Sequence, residues 1–336
     1  SIEQRMAPLL WRALGLVSWL PSPENVAAAN LERVARLNKL QALVLLPDAA
    51  ALALQPLTQA GLEPVVFKGP AVARRYPEPG LRPMDDIDVL LPPDQHGHAC
   101  STLLAAGWVV VRPPGRGRYD TVLAHRGSGN ISLELHYGLQ SWYERTNNLS
   151  IEALWRRRIP IDCCGVPAWG LDPEDELVAL AAHAAKPFHS FSRLVWMADL
   201  AMIVSDPCAP RPIEWAVVRS RAQAVGATTV MAVALAQARR AGALVPSELF
   251  PVPGPGWQGA ALAPLLDSRW PLDGRKGSSF HLRFALVDGA RPRLGLLIGS
   301  AHGKGPVESL LWPFRLTWQA VRRLWRLKHH PWDGIR

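Results

Sequence analysis

Cysteine and long uninterrupted apolar stretches are what this sequence has little of. Its 336 residues include only 4 cysteines, Cys100, Cys163, Cys164 and Cys208. They lack the two-pair spacing of a structural zinc site, and the adjacent Cys163 and Cys164 are poorly placed to bridge each other. A chain with reduced thiols, located in the cytoplasm, is therefore expected. No apolar run reaches the ~18 residues that span a bilayer. Arg12 cuts the N-terminal stretch, and residues 294–301 are too few. Glu3 and Arg12 also disturb the charge-then-apolar order of a signal peptide. A soluble protein without membrane contact is expected.

Charge of one sign is missing from most of the chain. Residues 1–274 carry 25 Lys+Arg against 25 Asp+Glu, whereas residues 275–336 carry 12 against 3, so the net +9 lies wholly in the last segment. The preceding part has no global field to steer an anion, and any phosphate chemistry there depends on local groups. Hydrophobic residues at 49% and charged residues at 19% exclude collagen-like, coiled-coil and wholly disordered chains. The length suits two or three domains.

Four segments follow from the patterning. Residues 1–62 form an N-terminal helical segment, with Leu31, Val34, Leu37, Leu40 and Val44 at helical spacing, and three helices are predicted there. Residues 63–165 form an α+β core in which short strands at 64–67, 86–91, 108–111, 119–125 and 130–136 mix with a helix at 93–105. Asp172-Pro173-Glu174 is a helix start. It opens a helical domain over 166–245, with helices near 174–185, 191–205, 213–224 and 227–241. Residues 246–336 hold a Pro/Gly-rich linker and a basic C-terminal region that ends in an amphipathic helix near 310–328. That helix is either packed on the domains or serves as a surface arm for RNA or a membrane.

The segment Met84-Asp85-Asp86-Ile87-Asp88-Val89-Leu90-Leu91 carries the most chemistry. On a strand, Asp86 and Asp88 share one face while Ile87 and Val89 point to the core. Two carboxylates held side by side repel, and a divalent cation relieves that cost. Oxygen ligands on a rigid strand suit Mg²⁺. The plain alternative is a polar strand face turned to solvent. A second strand, Asn130-Ile131-Ser132-Leu133-Glu134-Leu135-His136, puts Ser132, Glu134 and His136 on the face opposite its leucines. If the two strands are neighbours, Asp86, Asp88 and Glu134 converge, enough to hold two metal ions and accept a proton. Asp85 faces the other way.

Basic and polar residues flank this set. Lys68-Gly69-Pro70 lies at a strand-to-helix turn, where backbone N–H groups can receive phosphate, although Pro70 withholds one. Arg82 suits a bidentate phosphate clamp. His183, Lys186 and His189 recur three residues apart near Pro187, positioned for a nucleotide or simply for a helix end. Asp199, on a largely apolar helix, is expected to be a buried structural partner of a basic residue such as Arg193.

The order Val66-Phe67-Lys68-Gly69, Tyr76-Pro77, Gly80, Arg82, Asp86-Ile87-Asp88-Val89-Leu90, Leu133-Glu134-Leu135-His136 and then His183 to Asp199 resembles the uncharacterised nucleotidyltransferase family of the DNA polymerase β-like superfamily. The resemblance implies an α+β fold: a small mixed-sheet nucleotidyltransferase core between N-terminal helices and a C-terminal helical region. It implies Gly69 as the turn glycine, Asp86 and Asp88 as metal ligands and Glu134 as the third carboxylate, ligand or base. Lys68, Gly69, Arg82, His136, His183 and Lys186 are the candidate nucleotide-binding residues. The implied activity is a Mg²⁺-dependent (alternatively Mn²⁺-dependent) transfer of a nucleoside monophosphate from an NTP to a hydroxyl or phosphate acceptor. The acceptor is a small metabolite, a peptide or a tRNA. One departure stands out: the superfamily turn is Gly followed by Gly or Ser, and here it is Lys68-Gly69-Pro70, so Lys68 or Arg82 is expected to take over triphosphate binding. The competing expectation is a non-catalytic nucleotide sensor, or a docking protein that uses its basic end.

Overall fold

Strands that bury every second residue need cover on that face. The structure, a computed structural model, describes residues 5–17, 25–115, 119–139, 149–186, 189, 191–206, 209, 211–246, 248–266, 285–289 and 293. Within them, β1 (Val65–Phe67), β2 (Asp86–Leu90), β3 (Val109–Arg112), β4 (Asp120–Ala124), β5 (Ser132–His136), β6 (Ile159–Cys163) and β7 (Val166–Gly170) form one seven-stranded sheet. Its order is β3-β4-β5-β2-β1-β7-β6. β2 runs parallel to β5 and β1 to β7, and the other neighbours are antiparallel, so the sheet is mixed.

The helices are α1 (Ala7–Leu16), α2 (Val26–Leu40), α3 (Leu46–Gln59), α4 (Gly69–Ala73), α5 (His96–Ala105), α6 (Ile151–Arg156), α7 (Pro173–Ala184), α8 (Leu194–Val204), α9 (Trp215–Val225), α10 (Thr228–Arg240) and α11 (Trp257–Leu266). The arrangement is the expected α+β one. On one face of the sheet, Ile87, Val89, Leu123, Leu133 and Leu135 pack with Ala53, Leu54 and Leu57 of α3 and Leu103 of α5. Each such fully buried side chain contributes roughly 1.5–3 kcal/mol. On the other face Val65, Phe67 and Leu90 meet Ile151 and Leu154 of α6 and Ala179 of α7. Beyond lies a helical layer in which Leu177, Leu200, Val230, Met231 and Leu235 share a core with Val72, Tyr76 and Leu81.

Charged residues tie that layer to the sheet. Asp172 caps α7 by accepting from the Asp175 N–H at 2.8 Å, and Pro173 stands where no N–H is missed. Glu174, Asp175 and Glu176 fill the first turn, favourable for the helix dipole. They are buried, so each takes an arginine. Arg211 meets Glu174 at 2.5 Å, Arg157 meets Asp175 at 2.6 Å and Arg75 meets Glu176 at 2.5 Å. Arg75 also reaches Asp206 at 2.6 Å. The loop that leads to β2 is held from the other side. Gly80 has φ +83°, and a Cβ there would fall 2.4 Å from the Lys39 Cα, so only glycine lets this loop touch α2. Gln41 donates to the Met84 carbonyl at 2.8 Å.

In the N-terminal segment the second and third of the three predicted helices are continuous. A π-helical stretch over Gln41–Leu45 joins α2 to α3, where Pro47 supplies no N–H. The continuous helix Val26–Gln59 is long and apolar enough to cross a membrane by length and composition. Asp48 is its lone charged residue between residues 40 and 57. Its second half is spent on the sheet: Ala49, Ala50, Ala53, Leu54 and Leu57 are wholly buried. Leu37, Leu40, Leu43 and Val44 are exposed.

The β6–β7 hairpin, α6 and α11 were not anticipated. Pro160 and Pro167 interrupt the strand signal, yet Pro160 lies in the edge strand β6, where proline is tolerated, and Pro167 lies in β7 ahead of Trp169, where pairing with β1 begins. Cys164 (φ 57°) and Gly165 (φ 85°) make the tight turn. Helix α11 falls in the Pro/Gly-rich linker and contains Pro264; burial of Leu262 and Leu265 and a hydrogen bond from Gln237 to the Leu265 carbonyl at 3.0 Å anchor it. The amphipathic helix anticipated near 310–328, Pro187 and Cys208 lie outside the described residues.

Arg75 is 1% exposed with two carboxylate partners. Arg75→Ala takes the arginine from the buried Glu176 carboxylate, so equilibrium denaturation should show a loss of about 3–5 kcal/mol. A loss below ~1 kcal/mol would contradict the network's role in joining α7 to α4.

Candidate active site

The pairing of β2 with β5 decides the site. In this ladder Asp86 is opposite Ser132, Asp88 opposite Glu134, and Leu90 opposite His136. Paired residues share a face, so Asp86, Asp88, Glu134 and His136 project together, away from the buried Ile87, Val89, Leu133 and Leu135. β4 adds Asp120 opposite His136. At the end of β1, Lys68 has φ 54° and Gly69 φ 21°. A Cβ on Gly69 would lie 3.2 Å from the Asp86 carbonyl oxygen, so glycine allows α4 to start directly against β2.

These residues floor a cleft of about 360 Å³. Lys68, Gly69, Arg82, Asp86, Asp88, Glu134, His136, His183 and Lys186 all line it. Arg5, Arg112, Tyr119, Asp120, His189, Arg193 and Trp196 line it too. Of those seven, spacing singled out His189 alone; the others come from the approach to α1, from β3, from β4 and the residue before it, and from the start of α8, which meet only in the fold. The balanced net charge of the first 274 residues thus conceals a local concentration of both signs.

Asp88 is the most heavily engaged acid. Its Oδ1 accepts from Lys68 Nζ at 2.6 Å and from His136 Nε2 at 2.8 Å. Burial works against its charge, but Lys68 and His136 outweigh it and hold the carboxyl well below its ordinary value. His136 Nε2 also lies 3.4 Å from Glu134 Oε2. Burial opposes the Glu134 charge as well, and the His136 contact with Lys68 brings its pKa below the usual value, leaving it ionised. Asp86 differs. Burial, with the negative charges of Asp88 and Glu134, raises it to about 6 against the pull of Lys68 and Arg82. Arg112 pairs with Asp120 and stands 3.9 Å from Glu134 Oε1.

The donor atoms of Asp88, Glu134 and His136 lie within 4.8 Å of one another, a set able to hold a metal ion. This differs from the expected set, with His136 in the place given to Asp86. The cause is the register: the Asp88–Glu134 pair brings His136 onto Asp88, while Ser132 faces Asp86. Asp86 remains on the cleft wall, and its raised pKa records the repulsion that a cation would relieve. The carboxylates suit Mg²⁺ or Mn²⁺, and an imidazole in the set widens the choice toward transition metals.

Two other residues have different partners from those expected. Arg82 spends Nε and Nη2 on Asp199, both at 2.8 Å. Asp199 also accepts from the Tyr76 hydroxyl at 2.7 Å. Its basic partner is therefore Arg82 and not Arg193, because Tyr76 and Arg82 reach α8 from the α4 side. Arg82 still borders the cleft, with its guanidinium oriented by the aspartate. Asp85, which was expected to face away, is exposed and pairs at 2.5 Å with Arg5, a residue that lines the cleft.

The opposite wall is built from the end of α7 and the start of α8. Burial and the charges of Lys186, Lys68 and Arg193 pull the His189 pKa down to about 4, although a contact to the His183 carbonyl pushes the other way. His183 is likewise lowered well below its ordinary value, by burial first and then by Lys68, His189 and Lys186. The unfolded chain titrates these imidazoles near ~6.5. Between about 6.5 and about 4 the unfolded state therefore binds more protons, and stability falls as pH drops through that window. Thermal unfolding should show a declining Tm from pH 7 to pH 4, with a shallower decline for His189→Gln. An identical slope in that variant would contradict the neutral state of His189.

Comparison with known proteins agrees with this geometry. No curated protein matches the chain. The family described as "Uncharacterised nucleotidyltransferase" matches residues 1–241, which include every residue lining the cleft. With most of its length matched, the chain belongs to this uncharacterised nucleotidyltransferase family.

Proposed function

We propose that the protein transfers a nucleoside monophosphate from an NTP to a hydroxyl or phosphate oxygen of an acceptor and releases pyrophosphate, with Mg²⁺ or Mn²⁺ as cofactor. The observation that carries this reading is the parallel β2/β5 register, which puts Asp86, Asp88 and Glu134 on one cleft floor beside Lys68 and Gly69. The acceptor oxygen attacks the α-phosphorus. The bond from that phosphorus to the oxygen bridging to the β-phosphate breaks, and pyrophosphate leaves with the electron pair.

Asp88, Glu134 and His136, with Asp86 beside them, would hold the cation, which supplies charge neutralisation at the phosphate oxygens. The protein's own groups do the rest. Lys68 and Lys186 offer ammonium groups to the triphosphate, and Arg82 adds a guanidinium held in place by Asp199. His183 borders the same space. Ionised Glu134 serves as ligand or takes the acceptor's proton. A small metabolite, a peptide and a tRNA remain the acceptor classes of this reading. We place the enzyme in the cytoplasm, where NTPs and Mg²⁺ are supplied; free thiols at Cys100, Cys163 and Cys164 accord with that.

The test is label transfer or pyrophosphate release from α-labelled NTPs with Mg²⁺ and cell extract. Asp86→Asn is the cleaner variant, because Asp88→Asn also removes the anion facing Lys68. Asp86→Asn should cut turnover about a hundredfold or more with an unchanged Tm. Turnover equal to wild type would refute the assignment.

A further inference from the structure

The cleft has a second wall that the carboxylate chemistry leaves unused. His183 near the end of α7, His189 beyond it and Trp196 in the first turn of α8 stand ring against ring. The ring centroids are 4.4 Å apart for His183 and His189, 4.8 Å for His189 and Trp196, and 5.8 Å for His183 and Trp196. All three border the same cleft as Asp86 and Asp88. His189 is fixed in place by its Nδ1, which donates to the His183 carbonyl at 2.9 Å. Among the described residues, His183 Nδ1 is buried and has no hydrogen-bond partner.

An unsatisfied buried nitrogen costs stability, and such atoms cluster where a ligand supplies the missing partner. Both imidazoles are held uncharged, by burial and by the cations beside them. The three rings therefore add flat π surface and one polar atom to a wall whose positive charge comes from Lys186 and from Arg193, whose guanidinium stands 5.6 Å from the centre of the Trp196 ring. The rings themselves offer nothing to a phosphate. A planar heteroaromatic ring with donors and acceptors on its edge matches it in both respects: its face suits Trp196 and His189, and its edge suits His183 Nδ1.

We propose that Trp196 and His189 form the stacking platform for the nucleobase of the donor NTP, and that His183 Nδ1 hydrogen-bonds the base edge and so sets base preference. This rests on the nucleotidyl-transfer reading above and adds the part of the donor that the carboxylates and lysines do not address. Lys68 and the acidic floor lie on β2 and β5 and just past β1, the rings lie across the cleft at the end of α7, beyond it and at the start of α8, and Lys186, between His183 and His189, stands where base and triphosphate meet. Stacking of this kind tolerates any base, because every base has a π face; selectivity then depends on the single edge contact.

Titration calorimetry of the full chain with Mg²⁺ tests this, using ATP, GTP, CTP, UTP and inorganic tripolyphosphate as probes. Wild type should bind at least one NTP more tightly than tripolyphosphate. Trp196→Leu should weaken that NTP about 10- to 100-fold and leave tripolyphosphate within about twofold. His183→Phe, which keeps a ring and removes the nitrogen, should narrow the spread among the four NTPs. Undiminished NTP binding by Trp196→Leu would overturn the platform while leaving nucleotidyl transfer standing. Should Trp196→Leu lose both ligands, Trp196→Phe decides: retained NTP binding supports stacking, and its loss overturns it. Wild type that binds no NTP better than tripolyphosphate removes the base site. Label transfer from the NTPs then shows separately whether the enzymatic reading survives.

Discussion

Negative charge confined to one face of two parallel strands is the constraint around which this molecule is arranged. Asp88 and Glu134 face each other across the β2/β5 ladder, with Asp86 two residues away. Such a group is stable in a partly buried place only when positive charge is brought to it. Lys68 and His136 supply that charge at Asp88, and Arg112 does so near Glu134. Asp86 is left with burial first and then the repulsion of Asp88 and Glu134, which together raise its pKa. The strained backbone at Lys68 and the close approach at Gly69 have a physical reason in this setting: they put an ammonium group against Asp88 and a helix start against β2.

The remainder of the fold holds two walls at a fixed separation. α3 and α5 cover the apolar face of the sheet and leave the acidic face toward α7 and α8. Buried arginine–carboxylate pairs connect those layers, with Arg75 reaching Glu176 and Asp206 and Arg82 reaching Asp199. Pairs of this type contribute little net stability compared with an apolar contact, but they tolerate only one relative placement of the groups they join. That property suits a cleft with an acidic floor on one side and aromatic rings on the other.

Much of this was legible in the sequence, for identifiable reasons. The alternation in Asp86-Ile87-Asp88-Val89 and in Leu133-Glu134-Leu135-His136 reports strand faces directly, because one side of each strand is buried. The N-terminal and central helices were legible from their apolar spacing, and α7 from Asp172-Pro173-Glu174. Other features had no local signal. That His136 contacts Asp88 and lies with it and Glu134 in one close group depends on a register between strands more than 40 residues apart. The Arg82–Asp199 pair joins positions 117 apart in sequence. Trp196 reads as one more apolar residue on an apolar helix until α8 is placed against the cleft. The β6–β7 hairpin was hidden by Pro160, whose cost is small on the edge strand β6, and by Pro167, which precedes the part of β7 paired to β1.

The account stands or falls on whether a divalent cation enters between these carboxylates. Anomalous scattering from crystals of the protein grown with Mn²⁺ and a non-hydrolysable NTP analogue measures this directly. A manganese peak within ligand distance of Asp88 and Glu134, with the triphosphate beside Lys68, is the predicted result. An empty acidic cleft with Lys68 still bound to Asp88, or a peak elsewhere on the molecule, would contradict it.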